Sequence, residues 1–150
     1  MVSSTRSSAA RVAAIDLGKA RVGVAVSDEL GLLAHPRPHL DGKSRKVLLD
    51  ALRDLAREDK ITRFLVGYPL EMSGHEGAAA RRAMEFAQQL ADATGIEVEL
   101  CDERLTTTEA SRRLREGGTS AREGKGRVDG AAAAVMLQAW LDRNRSTSND

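Results

Sequence analysis

At 150 residues the chain has the length of one domain with a real core. Hydrophobic residues make up 41% and charged residues 30%, a globular balance, while an aromatic content of 3% nearly excludes a base-stacking platform and leaves the core to Ala, Val, Leu and Ile. The net charge of +1 favours no class of partner, the single cysteine, Cys101, excludes an internal disulfide and suits a reducing cytoplasm, and no apolar run reaches membrane-spanning length.

Residues 1–10 are rich in Ser and Ala, contain no apolar segment of secretory type, and read as a disordered tail. An apolar run, Val12 to Ile15, then ends on Asp16; Gly18 breaks it, and a second run, Val22 to Val26, follows. This pattern predicts two adjacent strands joined by a short turn, with Gly18 free to take positive φ. Leu30 to Leu40 is a loop and a third strand, which Pro36 and Pro38 confine to a sheet edge. Lys43 to Glu58 is an amphipathic helix, with Leu48, Leu52 and Leu55 at i, i+4, i+7. Ile61 to Gly67 is a short strand, and residues 68–77 form a loop. A long helix over about Ala78 to Ala93 buries Ala83, Phe86, Ala87 and Leu90, and Gly95 stops it.

Ile96 to Cys101 alternates apolar and polar residues, the mark of a half-exposed strand. Thr106 and Glu109 have capping-box spacing, so a helix is expected from there to about Glu116. Gly117 to Gly126 is glycine-rich and expected to be mobile. The last helix starts near Arg127 and runs to about Arg143; Ala131 to Ala134 allow it close to a sheet, and Trp140 caps the packing. Three sequential strands followed by strand–helix alternation give an α/β fold, a mixed five-stranded sheet flanked by helices. It forms one domain over 11–143, with a second disordered tail over 144–150.

Acids stand where these elements end: Asp16 after the first strand, Asp102 and Glu103 after the last, and Asp129 in the first turn of the last helix. Each has an ordinary reading. Asp16 can bond its own turn, Asp129 can complement the helix dipole, and one of Asp102 and Glu103 can pair with Arg104. Their joint placement suggests more. Convergent carboxylates repel unless a cation holds them, and oxygen-only ligands suit Mg²⁺ or Mn²⁺. Such ions support phosphodiester cleavage. Basic residues lie beside each acid: Lys19 and Arg21, then Arg104, then Lys125 and Arg127. Acids for metal and bases for a polyanion fit together. Zinc and thiol chemistry are poorly supported, because Cys101 lacks a spaced partner and His35 and His39 flank prolines, so no helix puts them on one face. The glycines of the 68–77 loop lack the Lys-Ser/Thr ending of a phosphate-binding P-loop.

Ala14-Ile15-Asp16-Leu17-Gly18-Lys19-Ala20-Arg21-Val22-Gly23-Val24-Ala25 resembles the opening motif of the YqgF family of pre-16S rRNA nucleases, also described as Holliday junction resolvase-like. Residues 66–74 (from Val66-Gly67-Tyr68-Pro69), Asp102-Glu103-Arg104-Leu105-Thr106-Thr107, and Val128-Asp129 before the Ala-rich helix resemble its later motifs, in order, over about residues 12–142. The resemblance implies a ribonuclease H-like fold and a cytoplasmic bacterial role in trimming the 5′ end of precursor 16S rRNA. It implies Asp16, Glu103 and Asp129 as catalytic, metal-binding acids, and Lys19, Arg21 and Arg104 as residues that hold nucleic acid. Two departures stand out. Leu17 replaces a common aromatic, and Glu123 and two glycines dilute the basic segment before Asp129. Glu71 is a reserve candidate for the role of Glu103.

The leading expectation is therefore a metal-dependent nuclease acting on structured precursor rRNA, as monomer or homodimer and with no membrane partner. Resolution of branched DNA uses the same residues. A non-catalytic RNA-binding assembly factor would explain the diluted basic loop. An actin-like or sugar-kinase-like ATPase opens on a similar hairpin, but this chain has room for one such domain, not two.

Overall fold

The computed structural model describes residues 10–18, 20–68, 77–102 and 130–148. Its first three strands, β1 (Arg11–Leu17), β2 (Arg21–Ser27) and β3 (Ala34–Asp41), run as an antiparallel meander. Helix α1 (Arg45–Asp59) follows, then β4 (Ile61–Tyr68), α2 (Ala78–Thr94), β5 (Glu97–Asp102) and α3 (Ala131–Ser148). β4 pairs in parallel with β1, and β5 in parallel with β4, giving the order β3-β2-β1-β4-β5. The expected mixed five-stranded α/β sheet is what forms, with β3 and its two prolines at an edge. The helix expected over 106–116 and the glycine-rich segment over 117–126 lie outside the described residues.

Alternation along each strand divides the core into two layers. Ala13, Ile15, Val22, Val24, Phe64 and Val66 face α1 and α2, where Leu48, Leu52, Phe86 and Leu90 meet them. Ala14, Ala25, Ala34, Leu65 and Cys101 face α3, against Ala133, Ala134, Leu137 and Leu141. β1 is buried on both faces, which is why its sequence is nearly continuously apolar. Of the alanine run, Ala133 and Ala134 meet the sheet, while Ala131 and Ala132 are exposed.

The ends of the elements differ from expectation by small amounts with clear causes. α1 begins at Arg45 because the Ser44 side chain accepts a hydrogen bond from the Val47 N–H. It ends at Lys60, a non-glycine in the left-handed region at φ 57°, whose N–H reaches the Ala56 carbonyl. α2 ends as expected on Gly95, at φ 74°. α3 begins at Ala131 and continues to Ser148, beyond Arg143. Gly18 does not adopt positive φ. It is required for crowding instead: a Cβ there would stand 2.5 Å from the Arg21 carbonyl oxygen, which the Gly18 N–H meets at 3.2 Å.

A few polar contacts lock the layers. Gln138, fully buried on α3, accepts from the Ala34 N–H at 2.9 Å and donates to the Leu32 carbonyl at 2.9 Å. Trp140 Nε1 donates to the Glu99 carboxylate on β5, so its ring is tied to the sheet by a hydrogen bond as well as by packing. Ser27 Oγ, also buried, accepts from the Val12 N–H at 2.9 Å.

Candidate active site

Asp16 is the penultimate residue of β1, half-buried and still within the ladder, directly opposite Gly23 of β2. Ala13 and Ile15 face the α1/α2 layer and Ala14 faces α3, so alternation puts Asp16 on the α3 face. On its other side, one residue beyond the Ile15–Val66 pair, Asp16 is level with Gly67 of β4. Gly67 pairs in turn with Cys101 of β5. One row across the sheet therefore reads Gly23, Asp16, Gly67, Cys101, and the carboxylate stands between two residues without side chains. Glycine inside a strand marks a place where another backbone or a ligand comes close.

One such backbone is already there. A Cβ at Gly23 would stand 3.4 Å from Asp16 Cβ, 3.5 Å from the Gly130 nitrogen and 3.6 Å from the Gly130 Cα. The residue immediately before α3 is thus seated on β2 beside Asp16. Gly130 is suited to that seat. It holds φ +88°, and a Cβ there would meet the Arg37 and Val24 carbonyl oxygens at 2.9 and 3.0 Å. The Ala134 N–H closes the first turn of α3 onto the Gly130 carbonyl at 2.8 Å. The positive end of the helix dipole is therefore aimed at the Asp16 neighbourhood.

Of the remaining candidates, Arg21 is exposed as the first residue of β2 and shares the α3 face with Gly23. Asp102 ends β5, paired with Tyr68, one step beyond the Asp16 row. Lys19, Glu71, Glu103, Arg104, Lys125, Arg127 and Asp129 lie outside the described residues, and among the described residues no group of three His, Cys, Asp or Glu side chains could hold a metal. Cys101 is buried; burial pushes its thiol up, the Glu99 carboxylate adds to the rise, and Arg143 opposes it, so the group stays a neutral thiol. Sequence reasoning missed Gly23 and Gly130. Their signals were present, a glycine inside an apolar strand and a glycine at a helix start, but their meaning depends on which strand lies next door.

A meander of three strands, two parallel additions and helices on both faces, with an acid on the central strand, define a ribonuclease H-like protein. Thermus thermophilus RuvC, solved in complex with a Holliday junction substrate, has the same fold at TM-score 0.66 and 14% identity, covering 91% of this chain and 96% of that one. The fowlpox virus Holliday junction resolvase matches at TM-score 0.55 and 12% identity, over 89% of this chain and 99% of that one. The chain belongs to the RuvX family, described as Holliday junction resolvase, whose profile it matches over residues 10–143. A relative from Anaeromyxobacter sp. (strain Fw109-5), named "Putative pre-16S rRNA nuclease", is 50% identical over 88% of this chain and 96% of its own length. One of the same name from Myxococcus xanthus (strain DK1622) is 41% identical over 93% of both chains. The family membership read from the motifs is thereby borne out.

Proposed function

We propose that this protein is a divalent-metal-dependent phosphodiesterase that trims the 5′ end of precursor 16S rRNA in the cytoplasm, with Asp16, Glu103 and Asp129 as its metal-binding acids. The observation that carries this reading is the seating of Gly130 against Gly23, beside Asp16. A trans peptide fixes neighbouring Cα atoms about 3.8 Å apart, so Asp129 enters the neighbourhood of Asp16 through its bond to Gly130. Glu103 follows Asp102, and in the alternation of β5 it has the parity of Glu99 and Cys101, the α3 face on which Asp16 stands. The names carried by the relatives support the rRNA substrate.

The donor set fits a hard cation. It is oxygen-only, and three carboxylates this close need a positive charge among them. When bound, Mg²⁺ or Mn²⁺ supplies Lewis acidity at the scissile phosphate. The rest is done by the chain. Asp16 holds its carboxylate on a strand buried on both faces, so the ligand is fixed before substrate arrives. Gly23 and Gly67 leave a floor low enough for a sugar–phosphate backbone. Arg21, with Lys19, Arg104, Lys125 and Arg127, neutralises flanking phosphates and sets the register of the strand.

The family's description favours a second reading, cleavage of branched DNA by the same residues. The test sets precursor 16S rRNA and four-way junction DNA side by side, with Mg²⁺ or Mn²⁺, against wild type, Asp16→Asn and Asp129→Asn. Wild type is expected to cut the RNA, and both variants to lose at least about a hundredfold in rate. Cleavage of the junction alone would move the substrate to DNA. Specific RNA binding without cleavage, unchanged in both variants, would make the protein an assembly factor.

A further inference from the structure

Two residues four apart on a regular strand share a face, so His35 and His39 of β3 should point the same way. They do not. Arg37 pairs with Val24 and Leu40 pairs with Val22, so Gly23 alone on β2 faces Pro38 and His39 together, a β-bulge. Val22 and Val24 both face α1 and α2, and Leu40 packs into that layer. His35, paired with Val26, belongs to the same face. The extra residue turns His39 over. It has the parity of Asp41, which pairs with Arg21 on the α3 face. His39 is exposed there, across Gly23 from Asp16.

We propose that His39 is a substrate-positioning residue, donating a hydrogen bond to a phosphate next to the scissile one on the strand segment that leaves Asp16 toward the β3 edge. This rests on the nucleolytic reading above. Two strand spacings, roughly 10 Å, separate the backbones of β1 and β3, and the residue between them is a glycine that blocks nothing. The charged groups sharing this face are Arg21, Asp41 and Asp16. Asp41 is engaged locally, its Oδ1 accepting from the Lys43 N–H at 2.9 Å, which leaves the cationic and donor groups to meet a polyanion. Bulges beside active sites re-aim side chains, and this one takes a histidine from the wrong face to the face of the acid.

The test measures KM and kcat for cleavage of precursor rRNA and junction DNA by His39→Ala, His39→Gln and His35→Ala. Dissociation constants are measured in Ca²⁺ in place of Mg²⁺. His39→Ala is expected to raise KM and the dissociation constant about tenfold, with kcat within about twofold. His39→Gln keeps an N–H donor and is expected to recover most of the loss. His35→Ala, on the opposite face, is expected to bind as wild type. Unchanged KM in His39→Ala, a loss confined to kcat, or an equal loss in His35→Ala would overturn the assignment while the nuclease reading stands. Wild type that neither binds nor cuts either nucleic acid would overturn both.

Discussion

A methyl group at position 130 has no room. Gly130 and Gly31 both hold positive φ, +88° and +74°, but a Cβ at Gly31 meets nothing within 4 Å, whereas one at Gly130 meets two carbonyl oxygens and the Pro36 side chain. The pair separates backbone strain from crowding. Gly31→Ala is expected to cost about 1–2 kcal/mol from the left-handed backbone alone, and to cleave as wild type. Gly130→Ala adds about 1–3 kcal/mol of overpacking, and it pushes the start of α3 off β2, so cleavage falls with stability. Gly23→Ala does the reverse. Its new Cβ makes ordinary contacts of 3.4–3.6 Å, so urea unfolding should shift by about 1 kcal/mol or less, yet it fills the floor beside Asp16 and should lower cleavage about tenfold or more. Cys101 adds a pH limb. Its folded thiol titrates higher than the unfolded one, so the unfolded chain loses its proton first. Stability from this group is complete below the unfolded thiol's range and declines as pH rises through the folded value. Urea midpoints across alkaline pH should show that decline in wild type and lose it in Cys101→Ala. At this scale Asp16 was legible, because a carboxylate closing an apolar run is conspicuous. The glycines were legible only as turn or strand punctuation, since what each must avoid belongs to another strand.

At the scale of elements, the joint between α3 and β3 depends on one side chain. Gln138 satisfies the Ala34 N–H and the Leu32 carbonyl inside the layer that α3 covers. Gln138→Leu keeps the volume and orphans both backbone groups, at about 1–3 kcal/mol each. Denaturant unfolding should show a loss of about 2–5 kcal/mol, and hydrogen exchange should show the Ala34 amide opening before the amides of β1. A melt equal to wild type would mean that water replaces the glutamine. The elements themselves were legible from periodicity: Leu48 and Leu52 mark α1, Phe86 and Leu90 mark α2, and the prolines put β3 at the edge. What periodicity could not show was the bulge at Pro38 and His39. A bulge is a mismatch between two strands, visible only once β2 is laid beside β3. The reach of α3 to Ser148 was hidden for a related reason, because its last residues are polar and carry no apolar stripe to extend the pattern.

For the whole molecule, 23 basic and 22 acidic residues give a net charge of +1, too small to draw a polyanion from a distance. No helix among the described residues is long and apolar enough to cross a membrane, so the charged surface is where partners are sorted. Much of that charge is already spent on local pairs: on α1, Lys46 and Arg53 meet Asp50 at 3.0 and 3.3 Å, and Arg57 meets Asp54 at 2.9 Å. These cations lie on the far side of the sheet from Asp16. Nucleic-acid affinity must then come from position rather than total charge. Arg21→Ala and Arg57→Ala test this directly, because each removes one positive charge from the chain. Each phosphate-neutralising cation contributes roughly 0.7–0.9 to the slope of log affinity against log salt. Arg21→Ala should flatten that slope by about one such increment and weaken binding at low salt. Arg57→Ala should leave both unchanged. If the two variants shift together, binding follows net charge, and the α3 face loses its claim to be the nucleic-acid surface. If only Arg21→Ala shifts, the face carrying Asp16 and Arg21 is where the polyanion lies.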